Sequence, residues 1–269
     1  LLSIPLLGTI ICRKIRKKLG LANARVIVSG AAPTPVSLIV WFKKLGIEIR
    51  ELYGMTENTA FSHGNFGKIK LGTVGQAWPE VEAKLTASGE ILVRHVALMT
   101  GYFKDPETTA LVFEPDGFLK TGDQGSIDDE GFLTITGRMK DQFKTDKAKF
   151  IVPAPLEMKL LANTDIEQVC VVGMGIPQPI ALVVPSAAGL AKGRAQLANS
   201  LATTLSEINP GLEDYERIQK VIVLKEAWTL ENGLMTPSMK VKRNEVEKMH
   251  FSKYGDWYSK DEIVIFEGK

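Results

Sequence analysis

Two strand-like runs, at 25–28 and 47–52, bracket a helix-like stretch at 35–45, and this order constrains the fold more than any other feature. Arg25-Val26-Ile27-Val28 is short, largely apolar and ends at Ser29-Gly30, while residues 47–52 alternate apolar and charged side chains. Between them Val36, Ile39, Val40 and Leu45 recur at helical spacing, with Thr34 placed as a cap and Pro35 in the first turn. Strand, helix and strand in this order predict a parallel sheet whose ligand loops lie at the strand ends.

From about Leu71 the pattern changes to short antiparallel strands. Residues 81–85 and 90–93 flank Ala87-Ser88-Gly89, and 126–127 and 132–135 flank Asp128-Asp129-Glu130-Gly131, so both pairs read as hairpins. Asp105 and Pro106 open a short helix running to Phe113. A second domain is expected from about Gly137, giving domains at 1–137 and 138–269 with a hinge near 138–141. There 156–161, 197–208 and a last segment at 241–249 read as helices, 169–172, 181–184 and 221–224 as strands, and 189–193 as a solvent loop. The expected fold is therefore α/β followed by a small α+β unit.

Composition narrows the function classes. Hydrophobic residues make up 45% of the 269 and charged residues 24%, which excludes wholesale disorder. A net charge of +2 argues against a nucleic-acid partner. Two cysteines and three scattered histidines offer neither a disulfide framework nor a zinc spacing, and point to a reducing, cytoplasmic setting. The amino-terminal segment is apolar to Ile11 and then basic from Arg13 to Lys18; a signal peptide has the opposite order, and a spanning helix needs about 20 apolar residues. It reads as a helix packed against upstream protein, with peripheral contact at a membrane surface as the alternative.

Three loops carry chemistry on their residue types alone. Tyr53-Gly54-Met55-Thr56-Glu57 follows a strand and ends with a hydroxyl and a carboxylate, which suits phosphate and magnesium, though it also suits a plain turn capped by Thr56. Thr121-Gly122-Asp123 follows an apolar strand and offers an acceptor for ribose hydroxyls, or simply a Gly-Asp turn. Thr236-Pro237-Ser238-Met239-Lys240 presents one lysine, able to neutralise phosphate charge or merely to be solvated.

Taken in order, these loops join further segments: Val28-Ser29-Gly30-Ala31-Ala32-Pro33, Gly89-Glu90-Ile91-Leu92-Val93-Arg94, Met99-Thr100-Gly101-Tyr102, Gly131-Phe132-Leu133 and Gly137-Arg138-Met139-Lys140-Asp141. The chain thereby resembles the carboxy-terminal part of the acyl-adenylate-forming (AMP-binding) enzymes, which include acyl-CoA synthetases, nonribosomal adenylation domains and firefly-type luciferases. The run from Leu234 to Arg243 looks most like long-chain fatty acyl-CoA synthetases. The resemblance implies the end of a large adenylate-forming domain, a parallel sheet plus a small antiparallel β-barrel-like part, followed by a small mobile α+β domain.

The same resemblance implies an ATP-dependent ligase that adenylates a fatty acid and passes the acyl group to coenzyme A, with ATP, Mg2+ and coenzyme A as its cofactors. It implies that Gly30, Ala31, Ala32, Pro33 and Tyr53 enclose the adenine, that Gly54 belongs to the nucleotide-binding site, and that Ile135 packs near the base. Thr56 would touch phosphate, Glu57 would hold magnesium, and Asp123 with Arg138 would bind the ribose. Lys240 would bridge the acyl carboxylate and the α-phosphate. Lys140 would be the hinge and Lys144 would swing in for the thioester step.

The sequence departs from the family in three places. It lacks the glycine-, serine- and threonine-rich phosphate loop that the family carries early, so the chain reads as a fragment that alone is expected not to form adenylates. Thr145-Asp146-Lys147-Ala148-Lys149 stands where many relatives carry paired glycines, so Asp146 or Lys147 would crowd the thiol arm. Arg94-His95-Val96 replaces an Arg-Gly-Pro turn, and both His95 and His63 read as structural. Apolar surface left uncovered in a fragment would favour self-association. The competing readings are an adenylation enzyme for another acid or a carrier protein, and a non-catalytic adenylate-binding protein.

Overall fold

Residues 5–268 are described by the computed structural model. Helix α1 (Pro5–Lys18) ends on Arg16, Lys17 and Lys18, whose charges complement the carbonyl end of the helix. No described helix is long and apolar enough to cross a membrane.

Strand β1 (Ile27–Ser29), helix α2 (Val36–Lys44) and strand β2 (Ile49–Tyr53) form the expected unit, with β1 and β2 parallel and Ser29 opposite Glu51. Thr34 is not the cap of α2. Its hydroxyl instead meets Ser29 Oγ at 2.7 Å, and Pro35 takes the capping position without a side-chain bond. Strands β3 (His63–Gly64) and β4 (Gln76–Ala77) then extend this sheet antiparallel, in the order β1-β2-β3-β4.

A second four-stranded sheet follows: β5 (Glu82–Leu85), β6 (Glu90–Arg94), β7 (Leu119–Ile127) and β8 (Leu133–Arg138), antiparallel throughout. Both hairpins fall where the turn residues place them. Helix α3 (Pro106–Val112) lies between β6 and β7, with Asp105 accepting from the Thr108 N–H at 2.9 Å. Ile91, Val93, Leu119 and Leu133 form a buried core under this curled sheet, and Tyr53 at the end of β2 and Met55 in the loop after it pack on it. The paired Val74–Leu133 and Leu133–Gly75 backbone bonds join the two sheets. This packing is what brings β2, β7 and β8 to one place.

The chain divides between Met139 and Lys140. The second unit opens with the small hairpin β9 (Phe143–Lys144) and β10 (Phe150–Ile151), then helix α4 (Pro153–Leu160). Its sheet comprises β11 (Ile166–Val172), β12 (Ile180–Pro185), β13 (Lys220–Val223) and β14 (Val264–Phe266), in that spatial order. All of β12 is buried, as expected of a strand covered on both faces. Val169 and Val171 face a cluster with Leu156 and Leu160 of α4, while Cys170 and Val172 face the opposite cluster with Trp228, Val246 and Tyr254.

Two sequence readings of this unit are corrected. Residues 189–193 are not a solvent loop: helix α5 (Ala187–Ala191) occupies most of them, capped by Ser186, ahead of α6 (Arg194–Ile208). Gly189 is buried there because its missing side chain lets the Asp165 carbonyl approach; a Cβ would lie 2.5 Å from that oxygen. The segment at 241–249 is not the last helix. Val241 bridges Met235, so α7 begins at Arg243 (Arg243–His250), and α8 (Tyr254–Ser259) and β14 follow it.

Candidate functional site

Tyr53, Asp123 and Arg138 come from three different strands and meet. The Tyr53 hydroxyl donates to Asp123 Oδ2 at 2.8 Å, and Arg138 Nε donates to Oδ1 at 2.7 Å. Asp123 and Arg138 are register partners across β7 and β8, so sheet geometry itself sets this pair. Thr121 holds the approach: its hydroxyl donates to the Ile91 carbonyl at 2.8 Å and accepts from the Asp123 N–H at 3.2 Å. Burial, and then the nearby Asp123 carboxylate, push the Tyr53 phenol well above its ordinary range, so it remains a donor. A carboxylate has about four lone-pair sites. With two occupied, Asp123 keeps acceptor capacity for further hydroxyl donors. Ile135 packs on the same core as Tyr53.

The loop after Tyr53 is tightly folded. Gly54 lies against the Ala60 backbone, and Thr59 and Ala60 both take left-handed conformations. Thr56–Asn58 is a single 3-10 turn entered from Met55, and Asn58 Oδ1 accepts from the Met55 N–H at 2.8 Å. Thr56 therefore sits inside the turn with an exposed side chain and is not its cap. Glu57 is half-buried; Oε1 accepts from the Tyr102 hydroxyl at 2.9 Å, and its carbonyl accepts from the Met99 N–H at 2.8 Å. Among the described residues nothing occupies Oε2. Gly30, Ala31, Ala32 and Pro33 form an exposed turn after β1, with Ala31 at φ 66°.

No group of three or more His, Cys, Asp or Glu side chains that could hold a metal occurs among the described residues. A lone carboxylate with one open oxygen beside a free hydroxyl does not build a resident metal site. It does fit a cation that arrives on phosphates, because Mg2+ commonly takes one or two carboxylates and leaves its other positions to substrate and water.

His63 lies beside Tyr53, with ring centroids 6.1 Å apart, and is 1% exposed. Its Nδ1 pairs with the Ser62 hydroxyl at 2.9 Å, and burial pushes its pKa down to about 4. The fold holds the ring neutral, whereas the unfolded chain takes up a proton below about 6.5. Stability therefore falls as pH drops from about 6.5 through about 4, by at most about 3 kcal/mol from this residue. Burial lowers His95 and His250 in the same direction. Urea unfolding across this pH range is expected to show the loss, with a flatter profile in His63→Gln.

In the second unit Lys240 ends a tight turn. The Thr236 N–H donates to the Lys240 carbonyl at 2.8 Å, the Lys240 N–H donates to the Thr236 hydroxyl at 3.0 Å, and Met239 is left-handed at φ 61°. The Lys240 side chain is exposed and makes no ion pair with the described residues. Three positions later Arg243 is half-buried and donates to the Val171 carbonyl at 2.7 Å and to Glu157, anchoring the chain leaving this loop. Lys140 is exposed in the turn Met139–Asp141, and Lys144 is exposed with its ammonium 5.3 Å from the Phe150 ring centroid. Asp146 and Lys147 are exposed on the following turn, which closes with Ala148 left-handed.

The structure thus assembles Tyr53, Asp123, Arg138 and Ile135 about one core, and Thr56 and Glu57 on the adjoining loop. Sequence reasoning gave no role to Thr121, Asn58, Tyr102 or Arg243. Tyr102 was visible only as part of a motif.

Known proteins resemble this chain across both of its units. The AMP-binding enzyme family model matches residues 8–103, and the model of the AMP-binding enzyme C-terminal domain matches 140–262. Long-chain-fatty-acid–CoA ligase FadD15 of Mycobacterium tuberculosis is 34% identical over 94% of this chain and 45% of its own length. Long-chain-fatty-acid–CoA ligase 1 of Cavia porcellus is 30% identical over 93% of this chain and 40% of its own. The chain thus spans less than half the length of these relatives. Among solved structures, the adenylation domain of a carboxylate reductase from Mycobacterium chelonae superposes with a TM-score of 0.77 at 25% identity, covering 94% of this chain and 42% of that one. ATP-bound MatB from Rhodopseudomonas palustris gives 0.67 at 28% identity, over 86% of this chain and 46% of that one. Matched in both of its units, and in the order of its motifs, this chain belongs to the AMP-binding, adenylate-forming enzyme family and corresponds to its carboxy-terminal part.

Proposed function

We propose that this chain carries the ribose-binding, cation-binding and lysine groups of an ATP-dependent long-chain fatty acid–CoA ligase. In the first step a fatty carboxylate attacks the α-phosphorus of ATP and pyrophosphate leaves. In the second the thiol of coenzyme A attacks the acyl carbonyl, loses its proton, and AMP departs. Charge builds on phosphoryl oxygens in the first step, so a cation aimed there lowers the barrier. Lys240 supplies that cation in this reading, and its lack of an ion pair among the described residues leaves it available. Thr56 bonds phosphate, and Glu57 receives the magnesium that ATP brings. Gly30 to Pro33 line the adenine beside Tyr53. Lys140 is the pivot between the two steps and Lys144 serves the second. The phosphate loop has no counterpart here, so the chain alone does not adenylate.

The observation that carries this reading is the convergence of Tyr53, Asp123 and Arg138 on one carboxylate with acceptor capacity to spare. If Asp123 reads ribose hydroxyls, AMP binds more tightly than 2′,3′-dideoxy-AMP, and Asp123→Ala removes that difference. Losing hydrogen bonds to a charged group of this kind is expected to weaken AMP about 10- to 100-fold. Equilibrium dialysis with both nucleotides checks it; equal binding of the two by the unaltered chain would show that Asp123 does something else. The relatives named as long-chain-fatty-acid–CoA ligases, 34% and 30% identical over 94% and 93% of this chain, favour coenzyme A as acceptor over a carrier protein.

A further inference from the structure

The segment Met99-Thr100-Gly101-Tyr102 has no role in the scheme above, yet it grips Glu57 twice. The Met99 N–H bonds the Glu57 carbonyl at 2.8 Å and the Tyr102 hydroxyl bonds Oε1 at 2.9 Å. The grip is itself braced. The Tyr102 N–H donates to the Thr109 hydroxyl at 2.9 Å, and that hydroxyl donates to the Asp105 carbonyl at 2.7 Å. Gly101, at φ 153°, lies so close to Thr109 that a Cβ there would meet Cγ2 at 2.9 Å.

We infer that Tyr102 is a positioning residue that occupies Glu57 Oε1, so that the carboxylate takes a nucleotide-borne cation through Oε2 alone and thereby selects Mg2+ over Ca2+. The inference rests on the cation-binding reading of Glu57. Its physical basis is the difference between the two ions. Mg2+ demands near-ideal octahedral geometry and is served by one oxygen of a carboxylate, whereas Ca2+ readily takes both oxygens in a larger, looser shell. A hydroxyl fixed on Oε1 disfavours the two-oxygen mode. It also fixes the carboxylate's orientation, and outer partners of this kind typically set about 10- to 100-fold in metal affinity.

The test is isothermal titration of ATP, in the presence of Mg2+, Ca2+ or neither, into the complete chain joined to the upstream part of the Mycobacterium tuberculosis ligase. Tyr102→Phe is expected to lower the Mg2+-dependent gain in ATP affinity about tenfold while leaving the Ca2+-dependent gain equal or greater, so the Mg2+ preference narrows. Binding of AMP without divalent cations stays unchanged in that variant, which separates positioning from general damage. Thr109→Val, which removes the brace, is expected to shift the preference the same way by a smaller factor. An unchanged Mg2+-to-Ca2+ ratio in Tyr102→Phe, with the ratio altered in Glu57→Gln, overturns the inference alone. If Glu57→Gln also leaves cation dependence untouched, the reading of Glu57 fails and the inference with it.

Discussion

Replacing Lys240 with alanine is expected to reduce adenylation by roughly a hundred- to a thousandfold, the loss usual for one charge-stabilising donor in a transition state. Thioester formation from a supplied acyl-adenylate is expected to stay within a few-fold, because in the proposed role Lys240 would offset phosphoryl charge that belongs to the first step. The two half-reactions can be followed separately, as ATP–pyrophosphate exchange and as coenzyme A consumption, in the chain joined to an upstream ligase segment. Stability should move by no more than about 0.5 kcal/mol, because the side chain is exposed and makes no ion pair with described residues. Lys240→Arg should recover little of the loss, since a planar guanidinium does not replace a compact ammonium at a position shaped by a tight turn. Equal loss in both half-reactions would remove Lys240 from this role.

Gly54→Ala is expected to damage the site through the backbone. An added Cβ would lie 2.5 Å from both Cα and the carbonyl carbon of Ala60, which are main-chain atoms and cannot swing aside as a flexible side chain would. Ala60 and its neighbour Thr59 are already held at positive φ, so the turn has little freedom left to absorb the intrusion. Overpacking of this kind costs about 1–3 kcal/mol. Because the turn from Met55 to Asn58 hangs on the same backbone, Thr56 and Glu57 should be displaced and cation-dependent ATP affinity should fall with stability. Gly122→Ala is the useful comparison. At φ +70° it has nothing within 4 Å of the added atom, so it carries only the left-handed penalty of about 1–2 kcal/mol. Urea unfolding of the two variants measures this contrast, and equal effects would mean that steric closeness at Gly54 is not what fixes the loop.

Much of this was legible in the sequence where local chemistry and tertiary context agree. The β1-α2-β2 order, the two hairpins with their glycine turns, and the Asp105 cap before Pro106 all follow from short-range rules. Thr34 misled because a hydroxyl at a helix start has a competitor: Ser29, brought back by the turn after β1, takes its bond. Gly189 misled because glycine reads as a breaker, whereas here it makes room for the Asp165 backbone. The short α8 and β14 carry too few residues for a periodic signal. In the site, the residue types of Asp123 and Glu57 suggested their chemistry, but their partners did not show. Tyr53 and Asp123 are 70 positions apart, and Tyr102 and Glu57 are 45. Only the packing of β2 against the curled sheet makes the first pair neighbours, and no spacing rule contains it.

We propose that this chain supplies working groups for adenylation and takes its phosphate loop from outside the 269 residues. Carboxylate-dependent ATP–pyrophosphate exchange, measured with oleate on the 269-residue chain and on the same chain joined to the upstream part of the mycobacterial ligase, tests it most directly. Exchange by the joined protein, loss of that exchange in Lys240→Ala, and none by the chain alone are the expected results. Exchange by the chain alone, or silence from a folded joined protein, would contradict it.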